Sequence, residues 1–191
     1  LTVGTGDTGV RFIDSLDTIV PISDSAGTSR DAAIDLGYSS IRYKNLYLSG
    51  GVYLGGTGSA NYLSDYEYGT FTVGFTGASI TPNNTAAAYT KIGRIVNWSY
   101  YTLTSTIASA SGNAFLTGLP FTVKNSDSSY SAVAIAHNTF FGGSATVGQQ
   151  GYHNKNATSV SFNAIGGFSN VSFTNGSGKY LIISGTYETD A

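Results

Sequence analysis

Hydrophobic and polar residues alternate with period two through much of the chain beyond residue 70. Phe71, Val73 and Phe75 take every second position of residues 70–76, and such alternation puts one face of a strand in a core and the other in solvent. No segment has the spacing of apolar residues that an amphipathic helix requires. Turns rich in Ser, Asn and Gly separate the strands, which predicts an all-β fold, with an antiparallel, jelly-roll-like β-sandwich over residues 65–191. The other predicted strands or hairpins are residues 89–103, 121–123, 131–136, 159–165 and 180–187.

Residues 1–64 follow a different pattern, in which short apolar segments are separated by turn signals. The segments at 10–13, 18–22 and 41–48 are each too short and too isolated to bury a face alone. Such strands need neighbours, and identical copies of the chain can supply them. We therefore predict that residues 1–64 form an extended stalk, intertwined in a homotrimer. An irregular domain of short strands is the alternative.

The composition narrows the class of protein. Charged residues make up 10% of the chain, the net charge is −2, and the nine Lys and Arg residues form no basic stripe, which argues against a nucleic-acid partner. No apolar run approaches the roughly 18 residues that span a membrane, so no membrane insertion is expected. The absence of cysteine excludes disulfides and Cys-based zinc sites and fits synthesis in a reducing cytoplasm. The absence of methionine indicates a piece of a longer polypeptide, and we expect no cofactor.

Five segments, in order along the chain, resemble segments of bacteriophage tail fibres. Residues 35–52, DLGYSSIRYKNLYLSGGV, are similar to DLGSSSxRFKDLYLSGGV in the tail fibres and related structural proteins of phages, especially marine phages. The segments downstream are DYEYGTFT at 65–72 (DYEEGTWTP in the family), YTKIGRIV at 89–96 (YTKIGRxV), LTGLPF at 116–121 (xTGLPF) and ISGTY at 183–187 (xSGTY). Tyr68 and Val73 depart from the Glu and Pro that are common in the family.

The resemblance implies a trimeric fibre whose C-terminal domain touches the host surface. The chain would then belong to the virion, be made in the cytoplasm of the host bacterium, and join upstream tail-fibre or virion proteins. Its receptor would be a host cell-surface glycan or an outer-membrane protein. Two other functions stay open: a polysaccharide-degrading enzyme of the tailspike type, and a purely structural virion protein that serves as decoration or linker.

Carboxylates are scarce in the distal part of the chain. Glycoside hydrolysis usually needs two carboxylates roughly 5–10 Å apart, and the acids after residue 70 are Asp127, Glu188 and Asp190. Asp65 and Glu67 could pair at the junction, but a solvated turn is the commoner setting for surface acids.

The two histidines, His137 and His153, give no catalytic pattern either. Neither lies in the Gly-x-Ser-x-Gly context of a serine nucleophile, and Asp127 is the acid nearest to them in sequence. We therefore predict no catalytic residue, no metal site and no enzyme activity.

Aromatic side chains flanked by amides are the better functional signal, since sugars bind flat aromatic faces and hydrogen-bond to amide and hydroxyl groups. Trp98 and Tyr100 share one face of a strand, and for Trp98 core packing is the slightly favoured alternative. Residues 140–154 are expected in an exposed loop, because Gln and Asn surround their aromatics. The predicted receptor-binding residues are Phe140, Phe141, Gln149, Tyr152, His153, Asn154, Trp98 and Tyr100.

Overall fold

A computed structural model of the chain describes residues 1–23, 27–141, 149–165 and 169–190. These residues form fifteen β-strands and three short 3₁₀ turns, and the predicted all-β class is confirmed. The turns are Asp14–Leu16, Ser59–Asn61 and Asp127–Ser129. The strands are β1 (Thr2–Thr5), β2 (Thr8–Ile13), β3 (Thr18–Ile22), β4 (Val52–Tyr53), β5 (Tyr62–Leu63), β6 (Tyr66–Thr72), β7 (Gly74–Thr76), β8 (Ser79–Thr81), β9 (Ala86–Ile92), β10 (Ile95–Ala108), β11 (Phe115–Thr117), β12 (Ala132–Asn138), β13 (Gln149–His153), β14 (Ser159–Ala164) and β15 (Gly176–Glu188).

The chain separates into two compact units, residues 1–49 and 50–191. In the first unit, β1, β2 and β3 form an antiparallel sheet in that order. Its apolar side chains are largely uncovered, since Phe12 and Ile19 are 44% and 64% exposed. Ile22 is the one buried hydrophobic side chain among the described residues of this unit. The first unit therefore has almost no hydrophobic core of its own.

Residues 50–64, which the sequence pattern assigned to the stalk, belong to the second unit by their contacts. β4 and β5 pair there as a small antiparallel hairpin, separate from the large sheet. The backbone N–H of Gly51 donates a hydrogen bond to Tyr62 Oη over 2.8 Å, and the rings of Tyr53 and Tyr62 have centroids 4.8 Å apart. The large sheet begins at Tyr66, next to the predicted start of the distal domain.

Ten strands of the second unit form one antiparallel sheet in the order β6-β9-β10-β15-β12-β13-β14-β11-β7, with β8 paired to β10. β6 and β7 stand at opposite ends of this order, although Val73 alone separates them in the chain. The sheet therefore curls until its ends meet, with Val73 buried at the corner. Near this corner the backbone of Gly118 approaches the backbone of Thr72 closely. The φ angle of Gly118 is +91°, and a Cβ there would lie 2.3 Å from the Thr72 carbonyl oxygen. The predicted antiparallel sandwich is confirmed in this nearly closed form.

The interior of the sandwich follows the alternation in the sequence. Val160 and Phe162 of β14, and Leu181 and Ile183 of β15, are buried in the core. In β15 the alternate residue Ile182 is exposed, whereas in β14 the alternate residues Ser161 and Asn163 are polar and also buried. Each such side chain contributes about 1.5–3 kcal/mol when it is fully buried. The second unit therefore has the core that the first unit lacks.

Residues 89–103 form a hairpin, one of the two forms that the sequence allowed. β9 ends at Ile92, and β10 begins at Ile95. Gly93 makes the turn with φ +56°, and its N–H donates to the Asp65 carbonyl oxygen over 2.9 Å.

The strand predicted at residues 121–123 is wrong. Val123 makes an isolated bridge to Thr189, and the described residues show no strand there. The N–H and carbonyl of Phe121 both bond to Tyr187 Oη, over 3.2 and 3.0 Å. A side chain thus takes the place of a neighbouring strand, and Pro120 has no N–H to offer one.

Candidate functional site

Trp98 and Tyr100, two of the predicted receptor contacts, lie in the core. Each is 2% exposed on the inner face of β10. Phe71 packs edge-on against Trp98 with ring centroids 6.1 Å apart, and Tyr100 Oη donates to the Asn84 carbonyl oxygen over 2.6 Å. Neither ring offers a face to a receptor, so the prediction of receptor contact is wrong for both and the core alternative for Trp98 is confirmed.

Phe140 and Phe141, which the sequence placed in an exposed loop, are also buried, at 0% and 7% exposure. The side-chain oxygen of Asn138 accepts a hydrogen bond from the Phe140 N–H over 2.8 Å, which turns the chain inward at the end of β12. There Phe141 stacks on Phe173 with centroids 5.2 Å apart, and Phe140 packs against Phe75 at 5.5 Å. The predicted exposure of these two rings is wrong; residues 142–148 of the same loop lie outside the described residues.

His153 is fully buried, and both of its ring nitrogens have hydrogen-bond partners. Trp98 Nε1 donates to His153 Nε2 over 2.8 Å. Because an indole N–H can only donate, Nε2 carries no proton, and Nδ1 bears the proton and donates to the Ser131 carbonyl oxygen over 3.0 Å. Burial lowers the pKa of His153 to about 4. The ring is therefore a neutral part of the core, and its predicted receptor contact is wrong.

Gln149 and Asn154 are partly exposed, but contacts inside the domain engage their amides. Asn138 Nδ2 donates to Gln149 Oε1 over 3.1 Å. Asn154 Nδ2 donates to Ser161 Oγ over 2.9 Å, and Ser161 Oγ donates back to Asn154 Oδ1 over 3.1 Å. Asn154 thus stabilises the turn between β13 and β14.

Tyr152, another of the predicted contacts, lines a surface cleft. It shares one face of β13 with Gln150, and the strand register pairs Gln150 with Asn163 of β14. Tyr130, just before β12, completes a cavity of about 350 Å³ with these residues. The Tyr130 and Tyr152 rings meet at 60°, with centroids 5.8 Å apart. Tyr130, Gln150, Tyr152 and Asn163 are called the tyrosine cleft below.

Asn163 lines this cleft and carries a buried, unsatisfied polar atom. The residue is 3% exposed, and its side-chain oxygen has no hydrogen-bond partner within the described part of the chain. An acceptor left unpaired in this way costs about 1–3 kcal/mol. Most buried polar groups in native proteins are satisfied, so an exception of this kind is a candidate functional group.

A charged pair borders the cleft beside Tyr130. Lys155 Nζ forms an ion pair with Asp127 and lies 5.9 Å from the centroid of the Tyr130 ring. The hydrogen bond from Lys155 and its charge lower the pKa of the Asp127 carboxyl, and the same contact raises the pKa of Lys155. Both groups are charged at neutral pH, and the pair has no net charge.

Three residues of the cleft, Tyr130, Gln150 and Asn163, were not predicted from the sequence. The alternation of Gln150 with Tyr152 is a local signal that they share a face. Asn163 and Tyr130 lie beside them because β13 pairs with β14 on one side and with β12 on the other. Strand register is a long-range property, and the spacing of residues does not reveal it.

Three of the carboxylates considered for catalysis are engaged in contacts outside the cleft. Asp65 forms an ion pair with Lys91, which is 3% exposed. Glu67 accepts a hydrogen bond from Tyr89 Oη over 3.3 Å. Glu188 forms ion pairs with two basic side chains, each at 3.0 Å.

Within the described residues, no group of three or more His, Cys, Asp or Glu side chains is placed to hold a metal ion. The same residues contain no helix that is long and apolar enough to cross a membrane.

Comparison with known proteins gives one structural likeness. No family model matches the sequence, and no curated protein matches it. The chain resembles part of the crystal structure of the Dettilon tailspike protein (gp208), with a TM-score of 0.54 and 21% identity. The likeness covers 64% of this chain and 24% of the tailspike chain, so this chain spans about a quarter of the tailspike's length. At this level of identity, the comparison shows that the two proteins share a β fold.

Proposed function

We propose that this chain is the distal part of a bacteriophage tail fibre, a virion protein that attaches the phage to the host cell by binding a surface glycan. The fold shared with a phage tailspike protein carries the proposal. The ordered segments between residues 35 and 187 that resemble tail fibres support it independently, because they come from sequence and not from fold. In this role the chain is made in the host cytoplasm and joins upstream proteins of the virion.

The proposal includes a homotrimer, and the exposed apolar side chains of the N-terminal part support it. Leu36, Ile41 and Tyr47 are 73%, 73% and 87% exposed, and most of the other large hydrophobic residues up to Tyr68 are exposed as well. Residues between 35 and 46 also line an open cavity of about 600 Å³. Large exposed apolar surface is uncommon in monomeric proteins. Further copies of the chain would remove it from water, at about 25 cal/mol for each Å².

A binding role without catalysis is supported by the state of the acidic groups. A glycosidase needs one protonated and one ionised carboxyl group facing a common substrate. Asp65, Asp127 and Glu188 instead lie in ion pairs with basic side chains. The tyrosine cleft itself contains no acidic residue.

The first test is the mass of the full chain in solution by light scattering, over a range of concentrations. We expect three times the chain mass of 19.8 kDa. A stable folded monomer would contradict the trimer.

The second test is the labelling of a panel of marine and enteric bacteria with fluorescently tagged chain. We expect specific labelling of host strains, with no release of new reducing ends from their purified polysaccharides. Release of reducing ends would replace the binding role with a depolymerase, and failure to label any strain would favour a purely structural virion protein.

A further inference from the structure

We infer that the tyrosine cleft is a binding site for one neutral pyranose residue, which ring stacking on Tyr130 and Tyr152 and hydrogen bonds to Gln150 and Asn163 recognise. The inference rests on the proposed function, and it adds the place and chemical class of the ligand.

The cleft is formed on the outside of the sandwich by a fixed register. Gln150 and Asn163 are direct partners on β13 and β14, and Tyr152 stands beside Ala132 of β12. The alternate residue Gly151 is buried, and a Cβ there would lie 2.5 Å from Val133. Gln150, Tyr152 and Asn163 are therefore held by paired strands over a packed core, which is the rigid support that a binding site requires, and Tyr130 lies just before β12.

The two tyrosines provide surfaces that fit a sugar ring. Tyr130 is 48% exposed, and Tyr152 is partly exposed beside it. Their 60° angle gives the cleft two aromatic walls that are not parallel. The apolar C–H face of a pyranose packs on one such wall, and the phenolic hydroxyls stay within reach of the sugar hydroxyls. At about 350 Å³ the cavity lies at the small end of ligand sites, about 300–1,000 Å³.

The two amide side chains of the cleft determine which hydrogen-bonding groups the ligand must carry. The oxygen of Asn163 is buried and unpaired, so it lacks the hydrogen-bond donor that it needs, and the residue lines the cavity. A sugar hydroxyl or an acetamido N–H is such a donor. Binding would then replace an unsatisfied acceptor with a satisfied one, which adds to affinity. Gln150 is exposed and offers both a donor and an acceptor at the opposite strand.

The charges around the cleft favour a neutral sugar over an acidic one. The four residues of the cleft are uncharged, and the neighbouring cation, Lys155, is already paired with Asp127. A carboxylate in the cleft would lose water without gaining a free cation, which is unfavourable. It would also have no proton to donate to the unpaired oxygen of Asn163.

Saturation-transfer NMR on the full chain tests the inference with the methyl glycosides of glucose, galactose, N-acetylglucosamine and glucuronic acid. We expect signal transfer to at least one neutral glycoside and about tenfold less to the glucuronide. Tyr152→Ala should reduce the signal about tenfold, and Asn163→Ala should weaken it as well. Tyr101→Ala is the matched control, because Tyr101 is a 47% exposed tyrosine on another strand, and it should leave the signal unchanged.

The outcomes separate the inference from the proposed function. If the chain labels cells and Tyr152→Ala labels them equally well, the attachment role stands and the assignment of the cleft is wrong. If the glycosides bind and no bacterium is labelled, the cleft is a sugar site and the attachment role fails. If no glycoside binds and Tyr130→Ala lowers the mass of the assembly, a second copy of the chain covers the cleft and the inference is wrong. Fluorescence of buried Trp98 confirms that each variant is folded.

Discussion

Acidification from about pH 7 to about pH 4 should destabilise the folded chain through His153. In the native state its Nε2 accepts the Trp98 indole proton and its Nδ1 donates to the Ser131 carbonyl. Protonation of the imidazole would place two N–H groups against each other, in a core where water cannot separate them. Tyr187, 4.9 Å away between ring centroids, and Gly185, which approaches His153 closely, supply no negative charge to compensate.

The expected loss of stability follows from the pKa of His153 in the folded chain and its ordinary pKa in the unfolded chain. His153 has a pKa of about 4 in the folded chain, against an ordinary value of 6.5. A group whose folded pKa is depressed in this way binds its proton more readily when the chain unfolds. The histidine contribution to stability is therefore complete above about pH 6.5, falls as the pH decreases, and is lost below about pH 4. At about 1.4 kcal/mol for each pKa unit, the full loss is about 3 kcal/mol.

The assay is urea denaturation at fixed protein concentration, repeated at several pH values between 4 and 7. Trp98 is the single tryptophan of the chain and is buried against His153, so its fluorescence reports this part of the core. His153→Gln keeps an acceptor and a donor but cannot titrate in this range, and it should flatten the pH dependence while lowering stability at every pH. His137→Gln, at an exposed histidine stacked on Tyr180, is the matched control and should keep the wild-type slope. An acid slope that survives unchanged in His153→Gln would refute the reasoning.

Three further changes give distinct expectations. Gly118→Ala should cost about 3 kcal/mol in urea denaturation, because its Cβ would meet the Thr72 carbonyl. Gly112→Ala also has positive φ but open space, so it should cost only about 1–2 kcal/mol, and an equal loss at both positions would contradict the clash at Gly118. Phe140→Ala should cost about 3–5 kcal/mol of stability without changing the affinity of the folded fraction for cells; a pure loss of affinity would restore its role as a receptor contact. Deletion of residues 1–64 should weaken the trimer in light scattering, and an equally stable trimer would place the interchain contacts in the distal domain.

The fold could be predicted from the sequence where one strand's own pattern decides the outcome. Alternation in residues 70–76 and 159–165 identified the faces that Phe71, Val160 and Phe162 turn to the core. The curled order of the sheet could not be predicted in this way. It depends on pairings such as β10 with β15 and β15 with β12, which join residues far apart in the chain.

The candidate site was predicted less well, for a physical reason. Amides near Phe140 and Phe141 indicated exposure, but Phe173, more than thirty residues away, supplies the surface that buries them. Polar neighbours report the local solvation of a segment, and burial of an aromatic depends on what packs over it. Tyr152 was identified as an aromatic residue among amides, although the sequence placed it in a loop and the structure places it in β13. Asn163 could not be identified in this way, because it depends on strand register.

The measurement that tests the account most directly is labelling of host cells by the full chain before and after oxidation of their surface sugars with periodate. Glycan attachment predicts strong labelling of untreated cells, loss of labelling after periodate, and retention after protease treatment. Labelling that survives periodate and is lost after protease treatment would contradict it and point to a protein receptor.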